Sequence, residues 1–169
     1  MGKTNGKKKD PMKLVLIIRD VFSKINVVAC GPLPTTPSGK KYLITAMSLA
    51  SKYPDAVPVE DITSTSVADE LMQVFSRLGL PKIIQMGQGR SFTTQCFLQK
   101  FGVKLIHSSF HHSQSNSVER FHRTVKRILR VLCLVNRTNW EQVIYPALFP
   151  LRTVVHESTG FSPAELVHG

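Results

Sequence analysis

The sequence predicts an α/β domain with a mixed central sheet flanked by helices. Three observations give this class. Short apolar runs bounded by turn residues fill the first 60 or so of the 169 positions, as successive strands do. The apolar period then changes to that of a helix and alternates with further strand-like runs. From residue 118 onward the chain reads as helical. The length suits one domain, expected over residues 13–169, behind a basic tail at 1–12.

In chain order, residues 13–18 and 25–30 read as strands, the second stopping at Gly31-Pro32. Pro37-Ser38-Gly39 supplies turn chemistry before a third run at 41–49. A fourth, 56–59, carries Pro58, which an edge strand tolerates. Val67, Leu71, Val74, Phe75 and Leu78 then share one helical face. Ser66 is the expected N-cap, Asp69 and Glu70 the expected first turn, and Gly79 with Pro81 the stop. Residues 82–86 return to strand, 91–101 to helix ending at Gly102, and 103–106 to strand. A polar loop is expected over 108–117. Val118, Phe121, Val125, Ile128, Leu129 and Leu132 mark the longest amphipathic helix. Residues 140–151 predict another helix, interrupted at Pro146 and ended near Pro150, and Ser162-Pro163 opens a last short one.

Charge is the compositional outlier. Twenty-two Lys and Arg against 11 Asp and Glu give a formal +11, which favours polyanions as partners, nucleic acid ahead of acidic membrane. Lys3, Lys7, Lys8 and Lys9 sit among Gly and Asn with nothing to bury, so the tail is expected to be disordered. It suits nuclear import, phosphate contact or plain solubilisation. Cys30, Cys96 and Cys133 are odd in number and without a CxxC, against a disulfide framework or zinc knuckle and for a reducing compartment. No apolar run approaches the ~18 residues of a membrane span. Residues 13–18 are too short for a signal peptide and are closed by Arg19. Gly6 stands where a myristoylation signal needs Ser or Thr.

The helix after residue 118 carries the clearest chemistry. Arg120, Arg123, Lys126, Arg127 and Arg130 cluster opposite its apolar face, with Glu119 beside Arg123 and Lys126. Cations at i, i+3 and i+4 repel one another, and a polyanion relieves that repulsion while releasing its counterions. These five residues are the expected nucleic-acid contacts, with Lys82 and Arg90 as outlying candidates.

Five segments then occur in a telling order: Val28-Ala29-Cys30-Gly31-Pro32-Leu33-Pro34, Lys41-Tyr42-Leu43 leading to Ser51-Lys52-Tyr53-Pro54-Asp55-Ala56, Met86-Gly87-Gln88-Gly89-Arg90-Ser91-Phe92, His112-Ser113-Gln114-Ser115-Asn116-Ser117-Val118-Glu119-Arg120-Phe121-His122-Arg123-Thr124-Val125-Lys126, and Thr159-Gly160-Phe161-Ser162-Pro163. From about residue 22 to 169 the chain resembles the catalytic core of retroviral and Ty3/gypsy-type integrases, in a degenerate or host-domesticated form. The resemblance implies a ribonuclease H-like fold, an ancestral role in DNA integration, and contact with DNA by Arg123 and Lys126. It also implies a homodimer. The family's separate zinc-binding domain has no counterpart in residues 1–21, which contain neither Cys nor His.

That family joins DNA with Mg²⁺ or Mn²⁺ held by three carboxylates. The matching positions here are Val28, Gly87 and Glu119, so only Glu119 keeps an acid. Mg²⁺ requires hard oxygen ligands and two-metal transfer requires several of them. None of the other acids is adjacent to Val28 or Gly87 in sequence. The stretch between Gly87 and Glu119 is also shorter than the family's. His107, His111, His112 and His122 lack zinc-ligand spacing, His111-His112 being an adjacent pair on a loop, and suit solvent or phosphate. Cys133 reads as a packing residue. The expectation is a nuclear or cytoplasmic nucleic-acid-binding module without catalysis or metal cofactor. The alternatives are a protein-interaction scaffold using residues 67–78 and 140–151, with Trp140 as anchor, and a residual polynucleotidyl transferase.

Overall fold

The computed structural model describes residues 21–86, 98–107 and 113–169. Five strands form one sheet: β1 Lys24–Cys30, β2 Tyr42–Ser48, β3 Pro54–Val59, β4 Ile83–Met86 and β5 Lys104–His107, in spatial order β3-β2-β1-β4-β5. β1, β2 and β3 pair antiparallel, whereas β4 runs parallel to β1 and β5 parallel to β4. The sheet is therefore mixed, and β3 is an edge strand, which accounts for Pro58 within it. The helices are α1 Ser64–Leu78, α2 Ser113–Asn136, α3 Ile144–Thr153 and α4 Pro163–His168. The expected tail at 1–12, the strand at 13–18 and most of the helix at 91–101 lie outside the described residues.

Strand alternation sorts the core into two layers. Ile25 and Val27 of β1 pack with Ile44, Ala46, Val57, Val59 and Ile84 against Val67, Leu71, Val74 and Phe75 of α1. Cys30, Leu43 and Ala56 pack on the other side with Val125 and Leu129 of α2, Ile144, Ala147 and Leu148 of α3, and Trp140. The even-numbered positions of β1 thus face α2 and α3. Val28 is one of them.

Three boundaries differ from the sequence expectation. α1 is capped by Thr63 rather than Ser66: Thr63 Oγ1 accepts from the Ser66 amide, and Asp61 in turn accepts from the Thr63 amide, Thr63 Oγ1 and Ser66 Oγ. Asp69 and Glu70 consequently fall in the second turn. α2 begins at Ser113, inside the expected loop, because residues 113–117 contain no Gly or Pro to interrupt it. α3 begins at Ile144 and runs to Thr153. Pro146 is its third residue, where the missing N–H has no intrahelical partner to lose. Pro150 does not end it, since the Val154 amide still donates to the Pro150 carbonyl at 3.0 Å. The expected opening of α4 holds: Ser162 caps it in a reciprocal capping box with Glu165, and Pro163 is its first residue.

Gly31-Pro32-Leu33-Pro34 links the sheet to the α2–α3 layer. Trp140 is buried, and its Nε1–H donates to the Pro34 carbonyl at 2.7 Å. Its role is in the core, not that of the interface anchor which the scaffold alternative would give it. Gly31 has φ near +150°, and a Cβ there lies 2.5 Å from Tyr42 Cδ1 and 2.9 Å from the Lys41 carbonyl oxygen. Backbone and ring block it together. Gly31→Ala is expected to cost ~3 kcal/mol through overpacking and an unfavourable φ, measured as a fall in the urea midpoint.

Asp55, on edge strand β3, ties three elements together. Its Oδ2 accepts from Arg77 of α1 at 2.7 Å, and its Oδ1 from Arg152 of α3 and from the Ala56 amide, each at 2.9 Å. Arg152 also donates through Nε to the Pro54 carbonyl and lies 4.8 Å from the centre of the Tyr53 ring. The Tyr53 ring meets Phe22 and His168 edge-on.

Candidate functional site

α2 crosses the sheet with three different sides. Val125 and Leu129 are buried against β1, β2 and α3, with Phe121, Ile128, Leu132 and Cys133 partly buried around them. Arg120, Arg123, Lys126, Arg127 and Arg130 are all exposed, on the side away from the sheet. Glu119 is exposed at the head of this row. Among the described residues, no ion pair engages any of the five. From residue 120 to 140 the chain has six cations, the sixth being Arg137, and no acid. Lys82 is exposed on the approach to β4 and engaged in a contact of its own. Arg90 lies outside the described residues.

One turn beyond Glu119 the helix reaches the sheet. His122 Nε2 is 2.7 Å from Thr45 Oγ1 on β2, and that hydroxyl lies 3.0 Å from the carbonyl oxygen of Val28, its register partner on β1. Thr45 is buried, and its single proton goes to the Val28 carbonyl. Its oxygen is left to accept, so the imidazole must donate from Nε2. Burial and then Lys126 lower the pKa of His122 below its ordinary 6.5, which keeps the ring neutral at pH 7. His122 lies on α2, within the helix that the sequence predicts, and through Thr45 it reaches the carbonyl of Val28, where the resemblance places a carboxylate.

The lowered pKa has a thermodynamic consequence. Below pH 6.5 the unfolded chain takes up a proton at His122 that the folded chain resists, so stability falls as pH drops from 6.5 through the depressed folded value. Urea midpoints for the native protein are expected to decline between pH 7.5 and 5.5. The decline is expected to be smaller in His122→Gln.

This arrangement does not fit a pair of divalent cations. Val28 has no side-chain oxygen, the Thr45 hydroxyl is committed on both sides, and an imidazole N–H cannot ligate a metal. Glu119 stands among Arg120, Arg123 and Lys126, whose charge opposes a cation. Gly87 lies outside the described residues and contributes no side chain in any case. Other acids have structural partners: Asp55 in its clamp, Asp61 and Glu165 at helix caps, Glu60 with Lys40, and Glu141 with Ser38. Among the described residues, no three of His, Cys, Asp and Glu converge as metal ligands. On β4, Gln85 is buried on the same sheet face as Val28, and its Oε1 has no hydrogen-bond partner.

The structure thus brings Glu119 and the five cations onto one helix, and sets Val28 beneath that helix. The Thr45–His122 contact had escaped the sequence reading. No local signal marks it, since its two residues lie 77 apart in sequence. His107 is exposed at the end of β5, and His111, His112 and Cys96 lie outside the described residues. Cys133 is partly buried within the α2–α3 layer, as a packing residue should be, and burial raises its thiol pKa.

No family model matches the chain. It is 28% identical over 166 residues to the retrovirus-related Pol polyprotein from transposon 412 of Drosophila melanogaster, covering 94% of this chain and 13% of that protein. It is 29% identical over 138 residues to the Pol polyprotein of Feline endogenous virus ECE1, covering 78% of this chain and 13% of that protein. The chain therefore spans 13% of the length of each of these relatives. Its fold superposes on the catalytic core domain of BIV integrase with a TM-score of 0.72 at 18% identity, covering 87% of this chain and 94% of that one. The fold is that of integrase catalytic cores, ribonuclease H-like, and the sequence is similar to retroviral and retrotransposon Pol polyproteins.

Proposed function

We propose that this integrase-core-like domain is a nucleic-acid-binding module that has lost the metal-dependent chemistry of its lineage. The observation that carries the reading is the exposed row Arg120, Arg123, Lys126, Arg127 and Arg130 along one side of α2, without an ion pair among the described residues. Five cations over three turns form a stripe that tracks a phosphate backbone and gains by counterion release. Positioning on phosphates carries no sequence information, so binding is expected to depend on salt more than on sequence. The loss of chemistry is supported by Val28, which offers no side-chain oxygen, and by the contact between the Thr45 hydroxyl and the His122 imidazole. No divalent cofactor enters this reading. A nuclear setting accompanies it, through the lysine-rich tail.

A second reading has one observation in its favour. Tyr145 and Phe149 on α3 are 59% and 68% exposed, one turn apart, as a protein-contact surface would present them. α1 adds nothing apolar to it, since Val67, Leu71, Val74 and Phe75 are all buried. A homodimer through α3 is compatible with binding through α2.

Fluorescence anisotropy of labelled duplex DNA, titrated across a salt series with Mg²⁺ or Mn²⁺ and followed by gel analysis, tests both halves. Intact DNA bound with a steep salt slope is the expected result. No binding near physiological salt would shift the weight to the protein-contact reading. Metal-dependent nicking that Glu119→Gln abolishes would overturn the loss of chemistry.

A further inference from the structure

α2 has a second stripe that the core covers only at Ile128. Thr124, Ile128, Val131 and Val135 recur at i, i+4, i+7 and i+11, so they share a side of the helix. At 100° per residue that side is turned about a quarter-circle from Val125 and Leu129, the buried pair. Val131 and Val135 are 51% and 72% exposed, and neighbouring Leu134 is 74% exposed. A cavity of about 360 Å³ opens on the stripe, lined by Thr124, Arg127, Ile128, Val131 and Leu132. Arg127 lines the cavity and marks its outer border.

The chemistry of the stripe selects its occupant. A nucleic acid engages the arginines through phosphate but leaves branched aliphatic side chains in water. A second copy of the chain, paired α2 to α2, sets six cations against six with no acid between residues 120 and 140 to relieve them. An acidic amphipathic helix satisfies both features. Its apolar side covers Ile128, Val131 and Val135, and its carboxylates meet Arg127. We propose that the Thr124–Val135 side of α2 is a docking groove for an acidic amphipathic helix of a partner protein, separate from the α3 surface and sharing Arg127 with the nucleic-acid stripe.

The test uses the full chain and two synthetic 18-residue peptides of equal composition. One arranges leucines at i, i+3, i+4 and i+7 among glutamates, and the other scrambles them. Binding is read by anisotropy at physiological salt. The amphipathic peptide is expected to bind at least tenfold tighter than the scrambled one. Val131→Ser with Val135→Ser is expected to remove that advantage while leaving DNA affinity, circular dichroism and net charge unchanged. Equal binding of the two peptides means that charge alone attracts them, and overturns the groove. Unchanged preference in the serine variant overturns it too. So does self-association in sedimentation velocity that the serine variant abolishes, since a second copy then covers the stripe. None of these outcomes bears on the DNA reading, which the same variant tests separately.

Discussion

Asp55→Ala is expected to destabilise the domain by about 3–5 kcal/mol, the range for removing one partner of a buried ion pair. Total stabilities of single domains are ~5–15 kcal/mol, so the loss is a large share of what holds this one. The reason is geometric. The Asp55 side chain is only 3% exposed, yet its oxygens take donors from Arg77, Arg152 and the Ala56 amide. Alanine leaves two guanidinium groups facing each other at a buried carboxylate's place. Asp55→Asn is expected to fail nearly as badly, because its amide turns an N–H₂ toward one of the arginines. The two arginines are not equivalent. Arg77 is 46% exposed and recovers water when its partner is lost, whereas Arg152 is 24% exposed and also supports the Pro54 carbonyl and the Tyr53 ring. Arg152→Ala is therefore expected to cost more than Arg77→Ala. Chemical denaturation followed by far-UV circular dichroism orders the series. A loss below 1 kcal/mol for Asp55→Ala would show that the clamp is decorative.

The same clamp illustrates what was legible in the sequence. Ser51-Lys52-Tyr53-Pro54-Asp55-Ala56 was readable as a motif, but its role depends on Arg77 and Arg152, which lie 22 and 97 residues from Asp55. Local patterns fared better. Short apolar runs located all five described strands to within two residues, and the Ser162-Pro163 opening of α4 is a short-range device that sequence displays directly. α1 shows the limit. Thr63 and Ser66 are both competent caps, and only the convergence of Asp61 on the pair decides between them. α3 shows another: prolines read as breakers are harmless in a first turn, and the final turn of α3 is held to β3 by Arg152. In the candidate site, the cationic row was legible because helical spacing alone puts it on one side. The Thr45–His122 contact was not, because it joins residues 77 apart across two layers.

Neutralising the cationic row is expected to lower DNA affinity by about two to three orders of magnitude near 0.15 M salt and to flatten the salt slope by about four. The reasoning is additive: each phosphate contact contributes ~0.9 to the slope of log K against log salt. Single changes, Arg123→Ala or Lys126→Ala, are then expected to reduce the slope by about one each. Loss of affinity alone would not separate a contact role from a folding role. Helix electrostatics does separate them, because removing mutually repelling cations at i, i+3 and i+4 leaves α2 as stable or more stable. The multiply substituted protein should therefore melt no lower than the native one while binding DNA far more weakly. Glu119→Gln supplies the opposite sign: deleting the one acid at the head of the row should tighten binding. A phosphate-tracking surface is also indifferent to base sequence, so these shifts should be alike for unrelated duplexes. Lys41→Ala, exposed beside the β1–β2 connection and remote in sequence from α2, should leave the slope unchanged. A slope that survives loss of all five cations, or one that Lys41→Ala reduces equally, would mean that the net charge of +11 attracts DNA diffusely and that α2 is no interface.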